Sequence, residues 1–186
     1  MCFTGDLYAR VDSGYWTWLY SVSKLAELID TAFLVLRKRP VIFLHWYHHS
    51  LTFLYMAWVY TQQPPWLRWL IPNNLLVHTV MYTYYGLRAA GIRTPPIFSK
   101  IITRHQMAQL ALSIYSMSLM LTAVWTEVPG CEPRMIAVWS GFGITMSYLA
   151  LFAKYYRDTY VRGGTKSTAK LVDENANEVE IDKKVE

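Results

Sequence analysis

Three histidines within five residues, His45, His48 and His49, sit inside an apolar run from Val41 to Tyr60. At about 100° per residue they fall on one helical face. Ionisable side chains at membrane depth are costly, so three on one face call for a task. Imidazole offers several: it ligates metals, moves protons near neutral pH and accepts acyl groups. A second polar stripe precedes it. Lys24, Glu27, Asp30 and Thr31 occupy an arc of about 120° on a helix. That arc should face a bundle interior, either as part of a site or as an ion-pair network in which Lys24 and Glu27 meet at i,i+3. A third stripe holds Asn74, His78, Met81, Tyr82 and Tyr85, with Asn74 one turn before His78 and placed to orient its imidazole. Tyrosines at that spacing also serve as core. Thr103, Gln106 and Gln109 recur every three residues, as site residues or as polar contacts between helices. His105, alone near an end, reads as ordinary.

The elements that must carry these stripes are long and apolar. Of the 186 residues, 53% are hydrophobic and 16% aromatic. Five spans are expected, about 15–36, 41–60, 66–87, 106–125 and 135–156, each near the ~20 residues that cross a hydrocarbon core. Trp16, Trp18, Trp58, Trp66, Trp69, Trp125 and Trp139 lie near several of their ends, as interfacial tryptophan does. The expected fold class is an all-α polytopic membrane protein, since helices satisfy their own backbone in lipid. Pro40, Gln62-Gln63-Pro64-Pro65, residues 90–100 and 128–133 read as the connections.

Charge gives the orientation. Arg37, Lys38, Arg39, Arg88, Arg93, Lys100, Arg104, Lys154, Arg157, Arg162, Lys166, Lys170, Lys183 and Lys184 fall on one side, against Arg10, Arg68 and Arg134 on the other. The basic-rich side is expected to be cytoplasmic. The net charge of +5 thus reflects topology, and nucleic acid is excluded as a partner because the cations flank lipid spans. Residues 1–14 read as a lumenal lead without a cleavable signal peptide. Residues 157–186 read as a disordered cytoplasmic tail, polar and poor in aromatics. The tail ends in Lys183-Lys184-Val185-Glu186, which resembles a dilysine signal for return to the endoplasmic reticulum. Both cysteines, Cys2 and Cys131, fall on the lumenal side, where either a disulfide or two free thiols is allowed.

Two chemistries compete for the histidines. Membrane di-iron desaturases and hydroxylases use HxxHH boxes, but several of them and with more histidines than the five present here. A histidine acting as nucleophile or general base needs few imidazoles and no metal.

The motifs together resemble the very-long-chain fatty acid elongases, the ELO family, over nearly the whole apolar region. Lys24, Glu27, Asp30 and Thr31 look like its KxxExxDT box, and His45–His49 like its HxxHH box. His78–Tyr85 fits HxxMYxYY behind Asn74, and Thr103–Gln109 fits TxxQxxQ. The wording HWYHH and VMYTYYGLRAAG is similar to the branch that elongates saturated and monounsaturated chains. The resemblance implies condensation of a long-chain acyl-CoA with malonyl-CoA to 3-oxoacyl-CoA, carbon dioxide and CoA, through an acyl-histidine. It implies His48 as the acyl acceptor, His78 as its partner, and His45 and His49 as residues that shape the site. Asn74 would orient His78. Lys24, Glu27, Asp30, Tyr82, Tyr85, Gln106 and Gln109 would support the site and hold the pantetheine.

The same resemblance implies no metal and no cofactor beyond the two CoA substrates, a bilayer, and the reductases and dehydratase of the elongation cycle as partners, with a homo-oligomer also allowed. It implies a Cys2–Cys131 disulfide. The family has seven spans, six of them forming a barrel around an acyl tunnel. With five spans and Met1 in a lumenal loop, the chain is expected to be an N-terminally truncated member: an incomplete gene model, a fragment, or a short isoform that is inactive or joins full-length subunits.

Overall fold

The computed structural model describes residues 10–38, 41–131 and 133–163. Among the described residues every regular element is helical: α1 (Val11–Leu36), α2 (Phe43–Tyr60), α3 (Leu67–Ala89), α4 (Pro96–Trp125) and α5 (Met135–Tyr156), the last running on into a π-helix, Arg157–Arg162. The five helices match the five expected apolar segments, with corrections at the ends. The lead gives way to helix at Val11 rather than Tyr15. Asp12, in the first turn of α1, suits the positive end of the helix and pairs with Arg10 at 3.2 Å. The fourth helix begins at Pro96, well before Gln106. Pro96 is pre-set for a first helical position, and Ile102 and Thr103 are buried while Arg104 and His105 face outward. That polar outer face hid the helix from a count of apolar residues.

The tail does not begin at Arg157 either. Arg157–Arg162 is helical, Tyr160 comes back to Thr103 Oγ1 at 3.4 Å, and Arg104 Nε donates to Tyr156 at 2.8 Å. Contacts to α4 hold these polar turns in place. Pro40, Cys2, Lys183 and Lys184 lie outside the described residues.

Helix ends follow local chemistry. After α3, Gly91 takes a left-handed φ of 81° and the Gly91 and Ile92 amides return to the carbonyls of Arg88 and Leu87. This is a Schellman stop, where glycine carries no steric penalty. Val128 and Glu127 close α4 the same way, onto Ala123 and Val124. Pro72 sits inside α3 and removes one hydrogen bond from its early turns.

Consecutive helices run antiparallel, and α1 packs on α2, α2 on α5, α5 on α4 and α4 on α3. α1 and α3 lie parallel and meet through long side chains: Tyr20 and Lys24 reach Asn74, Glu27 reaches His78 and Tyr82 reaches Asp30. The five helices thus form a ring whose last seam is polar. The apolar core fills the end away from the histidines, around Met56, Val59, Leu67, Met117, Met120 and Val138. Among the described residues two helices, Pro96–Trp125 and Met135–Arg162, are long and apolar enough to cross a membrane. α1, α2 and α3 fall short of that measure because they carry Lys24, Glu27, Asp30, the histidine box, Asn73, Asn74 and His78.

Candidate active site

The site is built where the polar stripe of α1 meets that of α3. Lys24 is 1% exposed, so its ammonium must be paired inside the bundle. Lys24 Nζ donates to Glu27 Oε1 at 2.5 Å and to Asn74 Oδ1 at 2.7 Å, and it lies 4.4 Å from the centre of the Tyr20 ring. Tyr20 also donates its hydroxyl to Asn74 Oδ1 at 3.1 Å. The cation therefore has a carboxylate, an amide oxygen and an aromatic face, each of which favours it. The i,i+3 pairing expected of Lys24 and Glu27 is present, and it forms the inner wall of the site.

Glu27 serves two partners. Its Oε1 also stands 3.1 Å from His78 Nδ1, off the line of a good hydrogen bond, and its Oε2 is buried with no partner. Asn74, by contrast, meets Lys24 and Tyr20, so the group that faces His78 is Glu27. One turn further along, Tyr82 donates to Asp30 Oδ2 at 2.5 Å, and the rings of His78 and Tyr82 lie 5.9 Å apart.

The histidine box lies on α2, the helix packed against α1. The His45 and His49 rings are 4.2 Å apart and those of His48 and His49 5.5 Å. His45 Nε2 and His49 Nδ1 are buried without hydrogen-bond partners. Among the described residues Glu27 Oε2 and His78 Nδ1 are likewise buried without a hydrogen-bond partner. Buried polar groups rarely stay unpaired, and a polar ligand would satisfy these.

Some expected residues stand apart. Among the described residues Gln106 Nε2 reaches only Met81 Sδ, at 3.1 Å. Among the described residues, neither the Gln109 side chain nor the Tyr85 hydroxyl hydrogen-bonds into the site. Tyr85 is exposed and stacks edge-on with Tyr84. No three His, Cys, Asp or Glu side chains among the described residues come together as a metal-holding group. Cys131 is buried and disulfide-bonded.

Three participants carry no motif. Tyr20 lies one turn before Lys24, and that spacing was its only signal. Tyr148 and Phe152 pack on His48 from α5, at ring distances of 4.6 and 5.9 Å. Nothing in their local sequence separates them from other apolar positions on that helix.

The sequence matches the ELO family, described as the GNS1/SUR4 family, over residues 1–168. The chain belongs to the ELO family. It is 42% identical to long chain fatty acid elongase 2 of Caenorhabditis elegans over 170 residues, 90% of this chain and 62% of that protein. To very long chain fatty acid elongase 3 of Homo sapiens it is 38% identical, over 84% of this chain and 57% of that one. To very long chain fatty acid elongase 6 of Drosophila melanogaster it is 40% identical, over 83% and 49%. The ELO chain thus spans roughly half to three fifths of the length of these curated relatives. No solved structure matches it.

Proposed function

We propose that this ELO chain carries the condensing site of fatty acid elongation. What supports the reading is the cluster of Lys24, Glu27 and His78 together with the His45, His48 and His49 rings on α2, the helix packed against α1. An unprotonated nitrogen of His48 attacks the carbonyl carbon of a long-chain acyl-CoA. A C–N bond forms, the C–S bond breaks, and the CoA thiolate leaves with the proton that the imidazole gives up. On this reading His78, backed by Glu27, passes that proton. Malonyl-CoA then loses carbon dioxide, and the electron pair of the broken C–C bond becomes an enolate. The enolate carbon attacks the acyl group, the C–N bond breaks with its electrons returning to His48, which takes up a proton from solvent to become neutral imidazole again, and 3-oxoacyl-CoA is released. His45 and His49 flank His48 on α2, and Asp30, Tyr82 and Asn74 belong to the polar seam of α1 and α3. Gln106 and Gln109, with Tyr85, belong on this reading to the approach rather than to the reacting centre.

In this reading all five helices span the endoplasmic reticulum membrane, with the histidine end and the C-terminus cytoplasmic, and Lys183-Lys184 acts as a retrieval signal. The polar arcs of α1 to α3 face the bundle interior, which explains why those helices are too polar to register as spans alone. A Cys2–Cys131 disulfide ties the lumenal side. The substrates are acyl-CoA and malonyl-CoA, the acyl chain enters the ring of helices, and the reductases and dehydratase of the cycle take the product. No metal or further cofactor takes part.

The test is incorporation of labelled malonyl-CoA by elongase-deficient microsomes that express the chain, alone and with the N-terminal segment of a longer relative. His48→Ala should abolish 3-oxoacyl-CoA formation. Product formation that survives His48→Ala would sink the assignment.

A further inference from the structure

We propose that Tyr148 is a positioning residue for His48, an inference that rests on His48 being the acyl acceptor. The Tyr148 ring centre lies 4.6 Å from that of His48, with the planes at 57°. Its hydroxyl donates to the His48 carbonyl at 3.3 Å and lies 3.0 Å from Thr52 Oγ1. Thr52 follows His48 by one turn. A single phenol therefore grips the turn of α2 that bears the nucleophile, both by its side chain and by its backbone.

The surroundings fix Tyr148 in turn. It is 5% exposed, and the Tyr47 ring stands edge-on to it at 5.9 Å. Phe152, one turn further along α5, meets His48 edge-on at 5.9 Å. Each side chain packed against the imidazole removes rotamers that would turn it away from a thioester. Orientation of this kind is worth much to acyl transfer, because small misplacements of a reacting group cost rate. Lys24 and Glu27 supply an ion pair from α1, whereas Tyr148 supplies geometry from α5. It does so from a helix that bears none of the four motifs.

The test begins with diethyl pyrocarbonate, which acylates unprotonated imidazole without any CoA substrate. Modification of the full chain in detergent is mapped residue by residue by mass spectrometry, with exposed His105 as the internal reference. Tyr148→Leu, which removes ring and hydroxyl, should raise the rate at His48 several-fold and leave His105 unchanged. Tyr148→Phe keeps the ring and should leave that rate near wild type. The same variant should slow acyl transfer from labelled acyl-CoA about fivefold, the size of one lost hydrogen bond, with KM little altered. An unchanged His48 rate in Tyr148→Leu overturns the positioning role, whether or not the chain condenses. A chain that shows the Tyr148 effect but never takes label from acyl-CoA overturns the acyl-acceptor reading instead.

Discussion

Lys24 and Glu27 form a buried ion pair one turn apart on α1, at 2.5 Å, and both are anchored to α3: Lys24 through Asn74, Glu27 through His78. The pair joins α1 to α3 through a polar seam. It also fixes which carboxylate faces the imidazole of His78.

Removing one member of such a pair leaves an unpaired charge inside the bundle. Lys24→Met should therefore destabilise the detergent-solubilised protein by about 3 kcal/mol, in the range found for broken buried pairs. Lys24→Met with Glu27→Leu should recover much of that loss, because the stranded carboxylate goes with its partner. Thermal unfolding followed by tryptophan fluorescence reads both. If the double variant is as unstable as the sum of the single ones, the coupling drawn here is wrong.

The α1 pair was legible from sequence because both residues sit on one short arc, and a helix converts spacing directly into proximity. His45, His48 and His49 were legible for the same reason. What spacing cannot give is the partner across a seam. Asn74 stands one turn before His78, a spacing that predicts it orients the imidazole, yet parallel packing of α1 and α3 sets Asn74 against Lys24 and Glu27 against His78. Tyr148 was invisible for a related reason, since it acts from a helix whose residues look uniformly apolar. Helix ends slipped where polar residues lie on an outer face, as at Arg104 and His105 in α4.

Tyr82 and Asp30 make the outermost contact of that seam, a 2.5 Å hydrogen bond to a carboxylate. The site is partly exposed, with Tyr82 39% accessible, which weakens the bond relative to a buried one. Tyr82→Phe should cost about 1 kcal/mol, at the low end for a charged acceptor. Asp30→Asn should cost a similar amount, and a double-mutant cycle should return a coupling of that order. Independent, additive effects would show that the two side chains do not act together.

Gly141 on α5 faces the Tyr55 side chain of α2. A Cβ there would lie 2.5 Å from the Tyr55 hydroxyl and 3.4 Å from Met117 Sδ, while that hydroxyl is held by the Ala137 carbonyl at 2.9 Å. Gly141→Ala should thus overpack the seam and cost about 1–3 kcal/mol. Tyr55→Phe in the same chain should relieve most of that cost, because it removes the atom that clashes. Were Gly141→Ala neutral in a thermal melt, the close approach of α2 and α5 at this level would be refuted.

Glu27 and His78 provide the sharpest functional prediction. A carboxylate 3.1 Å from an imidazole nitrogen can fix the ring and stabilise its charged form while a proton passes, and here the same carboxylate is held in place by Lys24. If the two act as one unit, their losses should not add. His78→Ala and Glu27→Gln should each lower the rate of condensation by orders of magnitude. The double variant should then be no slower than His78→Ala alone. Glu27→Gln keeps the size of the side chain and an oxygen for Lys24, so a large effect on rate with intact folding would place the cause in the carboxylate charge. Measuring single-turnover acyl transfer separately from decarboxylative condensation shows which half-reaction uses the pair. A double variant slower by the product of the two single effects would mean that Glu27 serves Lys24 and the helix seam, with His78 acting without it.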